Sequence, residues 1–163
     1  MSTSGDLSEC ILKIMDLDEG RRSYVGTIAR ANGDVRVYRA TSVHTANGDG
    51  TWNTLTYGGD TGETEETAEV TVVTVEGNAI VPVEDGKKDR EASVDILSCR
   101  GPDPEGRYQI ETQYKLSAEE RGFDYVTNTS WYGQAGSYYA EDIRNGEGRI
   151  IARRSGVYLP LED

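Results

Sequence analysis

The chain has 163 residues, a formal net charge of −12 and an apolar fraction of 36%. This length suffices for one domain with its own core, and the composition is that of a globular protein, not of a disordered chain. The acidic surface repels phosphate backbones and anionic lipids, which argues against nucleic acid and membranes as partners.

The N-terminal residues show no export signal, because residues 1–6 are polar and lack a basic start followed by an apolar run. No apolar stretch approaches the roughly 20 residues that span a bilayer. We therefore expect a cytoplasmic location. In that reducing compartment Cys10 and Cys99 are expected to be free buried thiols, although a disulfide between them remains an alternative.

Short runs rich in Val, Ile, Thr and Tyr, separated by Gly, Asn and Asp, predict β-strands joined by tight turns. Asn32-Gly33, Asn47-Gly48 and Gly77-Asn78 are typical hairpin turns, because Asn and Gly adopt the positive φ angles that such turns need. The predicted strands cover residues 10–17, 23–30, 35–45, 51–57, 70–75, 79–83, 91–99, 107–116, 123–132, 137–143 and 149–158.

This pattern predicts one all-β domain over residues 1–163, an antiparallel β-barrel or a barrel-like β-sandwich of about 8–11 strands. No helix of crossover length separates the strands, which excludes parallel βαβ units. The segment 117–120 is the one helical cue, so we expect at most one or two short helical turns. Residues 58–69 are rich in Gly, Thr and acidic residues and predict a flexible acidic loop.

A three-residue motif, Gly50-Thr51-Trp52, resembles the Gly-x-Trp signature at the start of the first barrel strand in lipocalin-like and avidin-like proteins. About eight strand-like segments run from this motif to the C-terminus, the number that such barrels need. The sequence departs from the pattern in one respect, because strand-like segments also precede the motif. The resemblance implies a barrel that encloses a small molecule.

Tyrosine is enriched over phenylalanine, with 10 Tyr and 1 Phe in the chain. Strict alternation places Tyr108 and Tyr114 on the apolar face of one strand, and we assign Tyr125 and Trp131 to the inner face of the next. Consecutive strands pair, so these four residues are predicted to share one sheet face and line a pocket. The alternative is that they fill an ordinary core.

Three further candidates complete the predicted ligand-binding set. His44, the one histidine, shares a strand face with Tyr38 and Ser42, and that face is either a polar ligand site or a solvated surface. Trp52 is expected to point toward the same enclosed space. The segments 47–50 and 60–66 offer oxygen ligands for calcium, but we interpret them as solvated acidic turns. We predict no metal site and no cofactor, because phosphate-loop, dinucleotide and paired-histidine motifs are absent from the sequence.

Two functions from different classes fit these observations. The favoured one is a β-barrel with an aromatic-lined pocket for a small, largely apolar molecule, either a carrier or a cofactor-independent cyclase or isomerase that orients its substrate with Tyr and Trp. The alternative is a non-catalytic β-sandwich that binds carbohydrate or protein, or that assembles into a homo-oligomer. Whether the protein is an enzyme stays open at this stage.

Overall fold

The computed structural model describes residues 4–115 and 125–161, with side chains from residue 9 onward. Within these ranges it contains one α-helix, eleven strands and two short 3₁₀ turns, at Gly59–Thr61 and Arg90–Ala92. The helix and strands are α1 (Ser4–Leu17), β1 (Gly20–Arg30), β2 (Val35–Ala46), β3 (Thr51–Tyr57), β4 (Val70–Glu76), β5 (Ala79–Glu84), β6 (Lys87–Lys88), β7 (Val94–Arg100), β8 (Tyr108–Lys115), β9 (Tyr125–Gly133), β10 (Gly136–Arg144) and β11 (Ile150–Pro160).

Ten of the strands form a closed antiparallel barrel, which confirms the predicted fold class. Each strand pairs with the next in the order β4-β3-β2-β1-β11-β10-β9-β8-β7-β5, and the pairing of β4 with β5 closes the ring. The remaining strand, β6, forms a short hairpin with β5. Because most strands pair with their sequence neighbours through tight turns, the topology needs no crossover helix.

The predicted turns lie between paired strands. Gly33, Gly48 and Gly77 all have positive φ, at 97°, 81° and 62°, and they connect β1 to β2, β2 to β3 and β4 to β5. In the first turn the Asn32 side chain accepts a hydrogen bond from the Asp34 amide at 3.0 Å. These hairpin predictions are therefore confirmed.

The first predicted strand is wrong, because residues 10–17 belong to the 14-residue helix α1. At 14 residues α1 is also longer than the short helical turns that the sequence predicted, and the turn predicted at 117–120 lies outside the described residues. Leu7, Cys10, Ile11 and Ile14 recur at the three- and four-residue spacing of an amphipathic helix. Cys10, Ile11 and Ile14 are buried against the barrel. No helix among the described residues has the length and apolar character needed to cross a membrane.

Cys10 and Cys99 form a disulfide bond, so the expectation of two free thiols is wrong. The bond joins α1 to β7 across 89 positions of sequence. It fixes the N-terminal half of the helix to the barrel wall, where Cys10 packs with Ile96 and Ile110. The cysteine spacing could not reveal this contact, because it depends on how the helix lies on the barrel.

Two apolar clusters occupy opposite parts of the barrel interior. The first contains Cys10, Ile11 and Ile14 of α1 together with Ile96 and Ile110 of the barrel. The second is built on three residues of the consecutive strands β9, β10 and β11, which are Val126, Ile143 and Ala152. Polar side chains lie on the inner strand faces between the two clusters, and they form the site described below.

The acidic segment 58–69 follows β3 and is mostly exposed. The Asp60 carboxylate accepts a hydrogen bond from the Arg39 amide at 2.7 Å, and Glu65 forms an ion pair with Arg21 at 3.3 Å. Gly59 passes so close to β2 that an added Cβ would lie 2.1 Å from the Arg39 carbonyl oxygen. The segment is therefore attached to β1 and β2 by polar contacts, and its flexibility stays a prediction.

Candidate functional site

Three tyrosines from β1, β10 and β11 cluster inside the barrel. Tyr24 and Tyr158 are directly opposite each other in the β1–β11 register, and their ring centroids lie 4.6 Å apart. The ring of Tyr139 is 6.3 Å from that of Tyr24, and the two hydroxyl groups are hydrogen-bonded. The phenols therefore form one connected polar group inside the sheet.

Two glycines make room for these rings. Gly26 and Gly156 are paired across β1 and β11, one step along the inner face from Tyr24 and Tyr158. A Cβ at Gly156 would lie 2.5 Å from Cε1 of Tyr139 and 2.7 Å from Cε1 of Tyr24, closer than carbon atoms approach in proteins. The absence of side chains at this pair thus lets the tyrosine rings lie flat against the barrel wall.

A partly buried ion pair lies beside the tyrosines. Glu141 of β10 and Arg154 of β11 are directly paired, with Oε1 and Nε 2.5 Å apart. The other carboxylate oxygen of Glu141 accepts a hydrogen bond from Asn128 at 2.9 Å, and Arg154 donates to the Tyr114 hydroxyl at 2.8 Å. Ser130 in turn donates to Asn128. This network links four adjacent strands, β8 to β11, across the interior.

The buried tyrosines are neutral at physiological pH. Burial raises the pKa of Tyr132, Tyr139 and Tyr158 above the usual phenol value. The hydrogen bond with Tyr24 adds to the rise for Tyr139. Burial lowers the pKa of Arg154, but the Glu141 carboxylate together with Tyr114 and Tyr139 raises it more, and the net shift is upward. Beside these tyrosines the interior therefore offers neutral hydroxyl groups and the charged guanidinium of Arg154, which is paired with Glu141.

A cavity of about 360 Å³ lies between α1 and this polar network. One side is apolar and is formed by α1 with β5, β7 and β8. The other side is polar and carries phenol, hydroxyl and amide groups together with two carboxylates. The apolar residues are Ile11, Ile14, Met15, Ile80, Val94 and Ile110, and the polar ones include Asp18, Tyr114, Asn128, Ser130, Tyr132, Tyr139, Glu141 and Tyr158.

A second polar group lies where α1 ends. Asp18 follows the helix, and its carboxylate contacts Nδ1 of His44 at 2.6 Å, while Nε2 of His44 lies 2.9 Å from the Ser42 hydroxyl. Arg22 of β1 donates to the carbonyl of Leu17, the last residue of α1. These contacts hold the C-terminal end of the helix on the barrel, and Asp18 also borders the cavity.

Two other depressions adjoin the barrel. A space of about 510 Å³ near the β1–β2 hairpin is bordered by Tyr38 and shares Tyr139 with the central cavity. A groove of about 980 Å³ runs between α1 and the loop before β8, and Tyr108 contributes to its wall. The groove is open at the surface, where residues such as Leu159 and Glu105 are more than half exposed. Unlike the groove, the central cavity is lined mainly by inward-facing side chains of the strands and by apolar residues of α1.

The structure brings only part of the predicted ligand-binding set to the barrel interior. Tyr114 borders the central cavity, and Tyr108 packs in the apolar cluster next to it. Tyr38 and His44 lie on the inner face of β2 with the buried Ser42, as the alternation predicted. Trp52 is half-buried on β3, opposite Ala46 and Val73, and borders none of the cavities described above.

The predicted inner position of Tyr125 and Trp131 is wrong. β8 and β9 pair as antiparallel neighbours, as expected, but Trp131 is opposite Gln109 and Tyr125 is opposite Lys115, on the outer face. Trp131 stacks there on Tyr138 with ring centroids 4.6 Å apart. The inner positions of β9 are Val126, Asn128, Ser130 and Tyr132.

Most of the interior polar residues were not predicted from the sequence. For Tyr24, Tyr139 and Tyr158 the available signal was the enrichment in tyrosine, because their outward-facing neighbours, such as Val25 and Val157, are apolar as well. Glu141 and Arg154 gave no such signal, since isolated charged residues in a strand are normally outward-facing. Asp18 was missed because its helix was read as a strand.

Comparison with known proteins supports the fold. No family model and no curated protein sequence matches the chain. Among solved structures, the chain resembles the crystal structure of a DUF3598-family protein of unknown function from Nostoc punctiforme, with a TM-score of 0.57 and 13% sequence identity. The alignment covers 90% of this chain and 48% of that protein. The chain thus spans about half the length of that protein, and the likeness concerns the fold alone.

Proposed function

We propose that this protein is a barrel that binds a small amphipathic molecule in its central cavity. The observation that carries the proposal is the cavity of about 360 Å³ with an apolar wall from α1 and a polar wall of tyrosines and carboxylates. Its size lies within the range of small-molecule sites, which combine apolar walls with a few polar groups that orient the ligand.

A fluorescent ligand tests this proposal. N-phenyl-1-naphthylamine is neutral and apolar and fluoresces strongly when it leaves water, so we expect a saturable increase in emission on titration with the protein. Val94→Trp should fill the cavity and weaken binding at least tenfold, because Val94 borders it on β7. The matched control is Val25→Trp on the exposed face of β1, which should bind as the parent does. Equal binding by both variants would contradict the proposal.

A catalytic version of the proposal concerns the same cavity. A cofactor-independent isomerase or cyclase needs donors for a developing oxyanion, and the neutral phenols of Tyr139 and Tyr158 supply such donors. The test is exchange of the α-protons of 2-tetralone in D₂O, followed by NMR. Faster exchange with the parent protein than with Tyr139→Phe supports catalysis, whereas equal rates limit the function to binding.

A surface on the outside of the barrel supports the second candidate, a non-catalytic interaction or assembly module. Val25, Val157, Tyr138 and Trp131 lie side by side across four adjacent strands, because each is in register with the next. Three of them are more than 40% exposed. Contiguous apolar surface of this kind is typical of contact sites. Light scattering of the parent and of Val157→Asp distinguishes a homo-oligomer from a monomer, because the charge should disrupt self-association.

A further inference from the structure

The space of about 510 Å³ near the β1–β2 hairpin, called here the arginine-lined space, carries charges opposite in sign to those of the central cavity. Within the part of the chain that the structure describes, the charged residues that border it are Arg36 and Arg154. Those that border the central cavity are Asp18 and Glu141. Tyr139 borders both spaces. The two spaces therefore meet at one phenol and select ligands of opposite charge.

The strand register places both arginines on the inner face of the sheet. Arg36 of β2 and Arg154 of β11 are each paired with Ile28 of β1, one on either side. Ile28 lies on the same face of β1 as the inward-facing Tyr24, because the two are separated by an even number of positions. Neighbouring strands lie about 4.8 Å apart, so the two arginine side chains can reach one ligand group placed over Ile28.

The two arginines differ in how their charge is balanced. The exposed side chain of Arg36 has no ion pair or hydrogen bond with any residue in the described ranges 9–115 and 125–161. Arg154 contacts Glu141 through Nε and donates to Tyr114 through Nη2, yet 34% of its side chain is exposed. Glu141 borders the central cavity and does not border the arginine-lined space. Arg36 therefore leaves this space with one positive charge that has no acidic partner.

The other walls of the arginine-lined space are aromatic and apolar. Tyr24 and Tyr38 border it with ring centroids 6.1 Å apart and ring planes at 60°, an edge-to-face arrangement. Ile28 and Tyr139 add to these walls. Tyr38 is 40% exposed, so the space opens to the surface beside that residue. A flat aromatic group can therefore enter from solvent and pack against the phenol rings.

We propose that the arginine-lined space is a second binding site, separate from the central cavity, and that it binds an aromatic carboxylate. The carboxylate binds Arg36 and the exposed part of Arg154, because guanidinium groups form paired, charge-assisted hydrogen bonds with carboxylates. The ring packs on Tyr38 and its neighbouring phenols. The single positive charge without an acidic partner matches a monoanion, and a cationic ligand is repelled. The volume of about 510 Å³ is within the range of small-molecule sites.

Four compounds with one aromatic body and different head groups test the inference: 2-naphthoate, 2-naphthamide, 2-naphthylmethylammonium and 2-naphthyl phosphate. Isothermal titration with the full chain at neutral pH should give 2-naphthoate an affinity at least about tenfold above those of the amide and the ammonium compound. Arg36→Gln should lower the affinity for 2-naphthoate about tenfold and leave that for 2-naphthamide unchanged. Arg39→Gln removes the same charge from the outer face of β2 and is the matched control. It should have little effect, because salt screens exposed charges that do not contact the ligand.

The outcomes separate this second site from the central cavity. Val94→Trp should weaken the response to N-phenyl-1-naphthylamine and leave 2-naphthoate binding unchanged, and saturating 2-naphthoate should not displace the dye. Binding of 2-naphthoate that is lost in Val94→Trp but kept in Arg36→Gln would overturn the second site and leave the proposed function in place, as would a normal dye response with no 2-naphthoate binding. Binding of 2-naphthoate without any dye response would do the reverse. Tighter binding of 2-naphthyl phosphate than of 2-naphthoate would overturn the assignment of a carboxylate.

Discussion

Glu141 and Arg154 face each other in register inside the barrel, with the carboxylate oxygen and the guanidinium Nε 2.5 Å apart. The Glu141 side chain is 7% exposed and that of Arg154 is 34% exposed. Asn128 and Tyr114 hydrogen-bond to the two members of the pair. Because each member of the ion pair also has a hydrogen-bond partner, the two charges are tolerated between the two apolar clusters.

The first prediction concerns this ion pair. Arg154→Met should lower the free energy of unfolding by about 2 kcal/mol, below the usual range for fully buried pairs because Arg154 is partly exposed. The double variant Arg154→Met/Glu141→Leu should recover most of the loss, since it leaves no unpaired buried carboxylate. Urea unfolding measures both, with Arg153→Met in the exposed Arg153–Asp142 pair as control. A double variant no more stable than Arg154→Met would contradict this account.

The second prediction concerns the glycine that makes room for the tyrosine rings. Gly156→Ala should destabilise the protein by about 1–3 kcal/mol, because the new methyl group would overlap Tyr24 and Tyr139. The neighbouring outward change, Ser155→Ala, should have little effect. Thermal unfolding measures both, and a fully stable Gly156→Ala would show that the rings have another low-energy position.

Much of the fold could be predicted from the sequence, because local signals and global topology agree in the hairpins. Asn32-Gly33 demands a tight turn, and the alternation over β8 separates Tyr108 and Ile110 from Gln109 and Glu111 in the structure as it does in the sequence. Neighbouring strands joined this way pair antiparallel whatever the rest of the chain does. Closure was not determined by the sequence, because the same number of strands fits a closed barrel or a two-layer sandwich.

The inner face of β9 was not predictable by the same reasoning. One face of β9 is aromatic or β-branched, which is the pattern of a core face, and it consists of Tyr125, Thr127, Thr129 and Trp131. The true inner face includes Asn128 and Ser130. Alternation gives two faces, and hydrophobicity selects between them only when the interior is apolar. This barrel has a polar network inside, so the rule selected the wrong face.

The missed helix has a different cause. Residues 10–17 are apolar enough to fit either a short strand or a helix, and the two are not separable in so short a window. Extending the window to Leu7 gives the spacing Leu7, Cys10, Ile11, Ile14, which is helical. Because this helix was predicted as a strand, neither the disulfide bond nor the position of Asp18 at the cavity could be predicted.

The third prediction concerns the disulfide. Reduction of Cys10–Cys99, or the double variant Cys10→Ser/Cys99→Ser, should cost about 2–4 kcal/mol, because the bond closes a long loop of the unfolded chain. Unfolding with and without dithiothreitol measures the loss, and a thiol assay under non-reducing denaturing conditions should find no free cysteine. Two free thiols in freshly purified protein would contradict it.

A stable disulfide favours an oxidising compartment and argues against the cytoplasmic location expected from the sequence.

The fourth prediction concerns alkaline pH. The folded-state pKa of Tyr132 and Tyr158 is raised by burial, so these phenols bind their protons more tightly in the folded state than in the unfolded state, where the pKa is about 10. Their contribution to stability is complete below about pH 10 and is lost as the pH rises above it. Tyr132→Phe should therefore gain stability relative to the parent between about pH 9 and pH 11 in urea unfolding. Tyr125→Phe, outward on the same strand, is the matched control, and parallel pH profiles for Tyr132→Phe and the parent would contradict the prediction.

The fifth prediction concerns the acidic segment 58–69. Its backbone has few hydrogen bonds outside its own turns, whereas the backbone of β8 is hydrogen-bonded to β7 on one side and β9 on the other. Amide exchange with deuterium should therefore be far faster over 62–69 than over 108–115. Asp60 makes a contact beyond the segment's own turns. The pairing of β3 with β2 ends at Tyr57 opposite Thr41, and the Asp60 carboxylate accepts a hydrogen bond from the Arg39 amide of β2 just beyond that end. Asp60→Ala should therefore speed exchange at Arg39, while Glu66→Ala should not. Equal protection of the segment and β8 would show that contacts other than those of Asp60 and Glu65 hold it against the barrel.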